Sequence, residues 1–275
     1  MTENGNEKST PNYTMGYDEA FMEFIRARVA ATHAGYLLPH LKPEMRMLDI
    51  GCGPGTISVG LAEAVAPGEL VGIDMAESQI EIATAAAERN GLSNARFQVA
   101  DALNLPFPND HFDAVHTHAV LMHIPDTKAV IAEIMRVLKP GGVLGSREYI
   151  ADASFGVPDI GKGKEAWDMY RDLVAANGGH PQMGRELRTR FSEAGLVGVE
   201  STGAFESFGD ETSVAAFTGF IVNYMCGPAI ADQAISHGIA TQKQFDEWRE
   251  DAVRWQNEPG AFAAIAWGEA IGWKP

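Results

Sequence analysis

The stretch Met47-Leu-Asp-Ile-Gly51-Cys-Gly-Pro-Gly-Thr56, an apolar run that breaks into alternating glycines, constrains this chain more than any other. A short apolar run bounded by turn residues fits a strand buried on both faces of a parallel sheet. Glycines at 51, 53 and 55 let the backbone turn tightly and approach a ligand where a Cβ would clash. A helix is predicted from Thr56 to Ala66, stopped by Pro67-Gly68. The next apolar run, Leu70-Val-Gly-Ile-Asp74, ends on a carboxylate at the carboxyl edge of its strand. A bound ribose presents two hydroxyls at such an edge, so the pattern reads as a nucleoside-cofactor site with Asp74 as the ribose ligand.

Spacing narrows the nucleoside. A dinucleotide fingerprint needs G-x-G-x-x-G, with its third glycine where the helix packs. Counted from Gly51, that glycine falls at position 56, which is Thr56. The chain instead has G-x-G-x-G with Asp49 two residues before it, and this resembles motif I of class I S-adenosylmethionine-dependent methyltransferases. Later segments agree in order and spacing. Asp101-Ala102 follows a predicted third strand, Ala95 to Val99, and matches the position that meets adenine in that family. Phe112-Asp-Ala-Val-His116 with Leu121-Met-His-Ile-Pro-Asp126 matches the fourth strand, and Arg136-Val-Leu-Lys-Pro-Gly-Gly142 matches the turn before the fifth. These segments look most like the small-molecule branch that includes quinone-biosynthesis C-methyltransferases. The resemblance covers roughly residues 45 to 150 and implies S-adenosylmethionine as cofactor. It assigns cofactor contacts to Asp49, Gly51, Gly53, Gly55, Asp74, Met75, Asp101, Ala102 and Thr117, with Asp49 supporting the loop and the methionine end.

Composition bounds the partners. Of 275 residues, 21 are Lys or Arg and 37 are Asp or Glu, giving a formal charge of -16. An acidic field repels phosphate backbones and anionic bilayers, which argues against a nucleic-acid substrate. Two cysteines, Cys52 and Cys226, make no secreted disulfide framework, so the expected compartment is the cytoplasm. No uninterrupted apolar run approaches the ~20 residues that span a bilayer, so no integral membrane association is expected. The expected partner is a small-molecule acceptor.

Residues 1 to 12 are polar and read as a mobile tail, followed by one domain over 13 to 275. From Asp18 a helical pattern carries Phe21, Phe24, Ile25, Val29, Leu37 and Leu38. Between 45 and 150 strands alternate with helices, which predicts an α/β fold: a doubly wound, mostly parallel, seven-stranded Rossmann-like sheet. Beyond the fifth strand, 153 to 180 reads as a helix flanked by loops, Arg185 to Gly195 as a helix and Leu196 to Ser207 as the sixth strand. Two helical stretches, Thr212 to Tyr224 and Lys243 to Gln256, delay the closing strand to Ala261–Trp273. The regions 153 to 180 and 211 to 258 are therefore read as insertions forming a helical lid over the strand ends.

Displacement at a sulfonium releases a neutral thioether, so the enzyme's tasks are alignment and exclusion of water. A base is needed only where the nucleophile must lose a proton. The candidates are His118 and Glu148. His116 and His118 stand two apart and share a strand face, but no carboxylate or thiolate nearby completes a metal set, so no metal is expected. His118 has two open readings: it polarises or deprotonates the acceptor, or it is satisfied by backbone hydrogen bonds. Arg147 and Glu148 either bind a polar acceptor group or pair with one another. Tyr17, His123, Arg147, Phe220 and Tyr224 are the candidate acceptor-binding residues. The alternative function is a methyltransferase-fold enzyme that uses the bound cofactor without transferring methyl, in decarboxylation, hydroxylation or cyclisation.

Overall fold

The computed structural model describes residues 14–16, 18–159 and 162–275, so the expected tail and Tyr17 lie outside the described residues. The chain opens with α1 (Glu19–Arg26), whose first turn is capped by Asp18 Oδ1, which accepts from the Phe21 N–H at 2.9 Å. The helical pattern read onward from Asp18 does not continue unbroken. Val29 is extended, at φ -136° and ψ 156°, and separates α1 from a single turn, α2 (Ala30–His33). Alternation follows as expected: β1 (Met47–Ile50), α3 (Thr56–Val65), β2 (Leu70–Asp74), α4 (Glu77–Arg89), β3 (Ala95–Val99), β4 (Phe112–His118), α5 (Thr127–Val137) and β5 (Leu138–Tyr149). Next come β6 (Phe155–Val157), α6 (Gly163–Ala176), α7 (Met183–Glu193) and β7 (Val197–Phe208). The chain closes with α8 (Glu211–Gly219), α9 (Pro228–Ser236), α10 (Gln242–Gln256) and β8 (Phe262–Trp273).

The strands form one sheet in the order β3-β2-β1-β4-β5-β8-β6, with β7 also paired to β8. Pairs from β3 through β5 are parallel, and every pair made by β8 is antiparallel. The chain crosses from β3 at the edge back to β4 beside β1, and this reversal opens a crevice at the carboxyl ends of β1 and β4. Leu48, Ile50, Val71, Ile73 and Val115 of the central strands are fully buried or nearly so, which their unbroken apolar runs anticipate.

Eight strands stand where seven are expected. The added strand, β6, pairs Phe155–Val157 with Ala264–Phe262 and prolongs the edge of β8 that β5 leaves. All of its residues are exposed, so no alternation of apolar and polar positions marks it in sequence. Region 211–258 holds three α-helices rather than two, with a π-helical turn at Phe220–Met225 between α8 and α9. Gly227-Pro228 resembles a chain break, but proline at the first helical position starts α9. Among the described residues no single helix is long and apolar enough to cross a membrane.

The α7 helix lies on β8 through a contact between two glycines. A Cβ built on Gly268 would sit 2.0 Å from the Gly184 carbonyl oxygen, and one built on Gly184 would sit 2.4 Å from the Glu148 carbonyl oxygen. Neither backbone can yield without moving the helix off the sheet. Gly268→Val should therefore cost about 1–3 kcal/mol of stability, the usual range for overpacking, read as a lower denaturant midpoint. An unchanged midpoint would mean that the contact is not tight.

Candidate functional site

The crevice between β1 and β4 opens into a cavity of about 950 Å³. Its rim is the glycine loop after β1. Gly51, Gly53 and Gly55 take φ of +66°, +51° and +77°, a region closed to most side chains. A Cβ on Gly51 would strike Val120 at 2.4 Å and one on Gly55 would meet Ala83 at 2.8 Å, whereas above Gly53 there is open space. The loop is thus wedged between its neighbours at both ends and bare in the middle. Gly51 and Gly53 line the cavity, and Gly55 sits behind it against α4.

Asp74, at the tip of β2, turns back under this loop. Its two oxygens accept from the Gly53 N–H at 3.1 Å and the Ala76 N–H at 3.0 Å. Burial raises its pKa, and those backbone donors act in the opposite direction. Asp101 accepts from the Leu103 N–H at 2.8 Å, and Asp101 and Ala102 both line the cavity. Beside them Met75, 59% exposed, and Leu103, 38% exposed, give this end of the crevice an apolar lip.

Asp49 is buried under the loop. One oxygen accepts from the Ser58 hydroxyl at 2.5 Å and the other meets His116 Nδ1 at 2.8 Å. The Asp49 carboxylate can only accept, so Nδ1 of His116 carries the hydrogen of that bond, and Nε2, on the cavity wall, has no partner among the described residues. In the sequence His116 stands out only as half of a histidine pair. The signal for its actual partner was the parallel register, which puts Asp49 directly beside His116.

His118 also lines the cavity, stacked on Trp267 with ring centroids 5.0 Å apart. Neither ring nitrogen has a hydrogen-bond partner among the described residues. Burial holds its pKa well below the ordinary histidine range, and the nearby Arg28 and Arg147 add to the effect, so the ring is neutral at pH 7. His123 lines the same cavity, and burial lowers its pKa to about 4. Phe220 stacks on Phe24 at 4.1 Å on the opposite wall.

Four other candidates do not line the cavity. Thr117 donates its hydroxyl to Ser146 at 2.7 Å inside the sheet. Tyr224 is fully buried, and its hydroxyl donates to the Met15 carbonyl at 3.0 Å, fastening the chain before α1 to the π-helical turn. Arg147 and Glu148 do not pair with each other. Arg147 lies 3.2 Å from Glu269 on the neighbouring strand, over the ring of Trp267. Glu148, wholly buried, accepts from the backbone N–H groups of Val120, Leu121 and Met122 at 2.9–3.1 Å. It thereby holds the turn at Leu121–His123 that forms one wall of the crevice. Burial pushes its pKa up to about 7 against those donors.

A family profile described as "Methyltransferase domain" matches residues 41–194, more than half of the chain. The chain belongs to the methyltransferase family. An uncharacterized methyltransferase of Schizosaccharomyces pombe, C1B3.06c, is 36% identical over 142 residues, covering 50% of this chain and 51% of that one. The demethylmenaquinone methyltransferase of Geobacillus kaustophilus is 34% identical over 170 residues, 56% of this chain and 72% of its own. The chain thus spans about half the length of the first of these relatives and more of the second. The solved structure of the YcgJ protein from Bacillus subtilis superposes with a TM-score of 0.59 at 22% identity, covering 88% of this chain and 97% of its own, a likeness of fold.

The ionisation of Glu148 is tied to stability. Its folded pKa is raised from 4.5, so its contribution is complete below that value and is lost as the pH rises through about 7. Thermal unfolding between pH 5 and 8 should show Glu148→Gln, which cannot ionise, gaining on the wild type as pH rises. A constant difference between the two would contradict this.

Proposed function

We propose that the chain transfers the methyl group of S-adenosylmethionine to a small, partly hydrophobic metabolite. The observation that carries this reading is the placement of Asp74 beside the bare middle of the glycine loop, at the mouth of a cavity lined mainly by apolar and aromatic groups. Each Asp74 oxygen has accepted one hydrogen bond and keeps capacity for a second, which suits vicinal ribose hydroxyls. The apolar lip of Met75 and Leu103 next to Asp101 suits a flat base, as the family resemblance implies for Asp101 and Ala102. Asp49 is buried under the loop with Ser58 on one oxygen and His116 on the other, so its part is to set the loop and the His116 ring, and His116 Nε2 is the atom presented toward the methionine end.

When bound, this cofactor supplies an electrophilic methyl on a positively charged sulfur. The chain's own contribution is to orient and to exclude water. Phe21, Phe24, Tyr149, Trp167, Tyr170 and Phe220 enclose the space for the acceptor. The helices α6 and α8–α10, with the π-helical turn, act as its lid, in which Trp167–Phe217 joins α6 to α8 and Phe24–Phe220 joins α1 to the π-helical turn. Neutral His118 is available to take a proton from the acceptor, whereas Glu148 serves by fixing the wall.

Methyl-labelled S-adenosylmethionine incubated with the protein and a panel of small apolar hydroxy and keto compounds should yield label in an organic-extractable product. Asp74→Ala should weaken S-adenosylhomocysteine binding by about 2–3 kcal/mol, the scale of a lost hydrogen bond to a charged group, or roughly 30- to 150-fold in Kd. Unaltered affinity in Asp74→Ala would overturn the ribose assignment.

A further inference from the structure

One wall of the cavity is unlike the rest. On β5 and β8, Arg147 stands opposite Glu269, and His118 stands opposite Arg147 across the β4–β5 pair, so three polar side chains form one row across three strands. Trp267, two residues from Glu269, carries the guanidinium of Arg147 over its ring at 4.7 Å and that of Arg28 at 5.3 Å. Glu206 on β7 faces the same group, 3.5 Å from His33. Burial opposes the charge on Glu206, but His33 and the two arginines overcome it and bring its pKa down to about 2.

This group holds two guanidiniums and two carboxylates, yet it is not neutral as seen from the cavity. Neither Glu206 nor Glu269 lines the cavity. Arg28, His118 and Trp267 do line it. Arg28 has no carboxylate within ion-pair distance among the described residues, and its buried Nε has no hydrogen-bond partner there. The indole N–H of Trp267, a side chain only 3% exposed, is likewise unpartnered, as are both nitrogens of His118. Buried donors left without acceptors are costly, and several converging on one cavity wall mark a place built for an acceptor-rich group. Of the carboxylates that line the cavity, Asp49 and Asp74 belong to β1 and β2 and Asp101 to the loop after β3, while Asp126 caps α5 and accepts from the Ala129 N–H.

Resting on the reading of the crevice as a methyl-transfer site, we infer that the acceptor is an apolar molecule bearing an anionic oxygen, and that Arg28, Trp267 and His118 receive that oxygen. A charged oxygen is favoured because Arg28 is a cation in an aromatic, water-poor setting, where charge-assisted hydrogen bonds are strongest. Carboxylates, phenolates and enolates share this chemistry.

The test is calorimetric titration with 2-naphthoate and its neutral isostere 2-naphthamide, on the protein alone and on protein saturated with S-adenosylhomocysteine. Naphthoate should bind about tenfold or more tightly than the amide. Arg28→Met should abolish that preference, and Arg28→Lys, which keeps the charge, should retain more of it. Unchanged S-adenosylhomocysteine affinity in both variants shows that they fold. Equal binding of the two probes, no saturable naphthoate binding at about millimolar concentration, or a preference intact in Arg28→Met would each overturn the inference. Failure of the wild type to bind S-adenosylhomocysteine would instead defeat the cofactor reading, and the probe comparison on the protein alone would still decide this one.

Discussion

Buried carboxylates at strand ends shape this site by binding the protein's own loops. A carboxylate removed from water must find donors, and the loops leaving parallel strands offer backbone N–H groups with no ladder partner. Asp74 takes two such groups from the glycine loop and the start of α4, and Glu148 takes three from the turn after β4. Asp49 takes a hydroxyl and an imidazole. Each bond draws one wall of the crevice into place, so polar contacts around its edge hold the cavity open. Glu148 shows the cost of the device, since burial lifts its pKa to about 7 even with three donors in place.

Within that frame the two ends of the cavity differ in chemistry. Toward β2 and β3 there are acidic side chains, a glycine backbone and an exposed apolar lip. Toward β5 and β8 there are stacked rings, a neutral histidine and the Arg28 guanidinium, with Arg147 paired to Glu269 outside the cavity lining. A cofactor rich in hydroxyls and amines suits the first end, and an acceptor with an apolar body suits the second. The antiparallel closing strand makes the second end possible, because β8 brings Trp267 and Glu269 beside Arg147.

Much of this was legible in the chain. The central strands announced themselves as apolar runs, and the first two ended in the glycine loop and in Asp74, because a buried parallel strand and a left-handed turn leave few choices of residue. Interactions that depend on register or on distant chain were hidden. That Glu148 turns to the backbone of Val120–Met122, or that Arg147 meets Glu269 more than a hundred residues away, follows only once β5 lies between β4 and β8. Arg28, just beyond α1, reads for the same reason as an ordinary surface arginine until Trp267 comes under it. The strand β6 and the helix α9 escaped for local reasons, one lacking a buried face and the other beginning at a proline.

Under the proposed function the crevice between β1 and β4 takes S-adenosylmethionine rather than a nicotinamide dinucleotide, since Thr56 stands where the dinucleotide fingerprint needs glycine. Calorimetric titration of the wild-type protein with S-adenosylhomocysteine, and in parallel with reduced nicotinamide adenine dinucleotide, tests it directly. The account predicts saturable binding of the thioether at about micromolar Kd and none of the dinucleotide. Binding of the dinucleotide alone would contradict it.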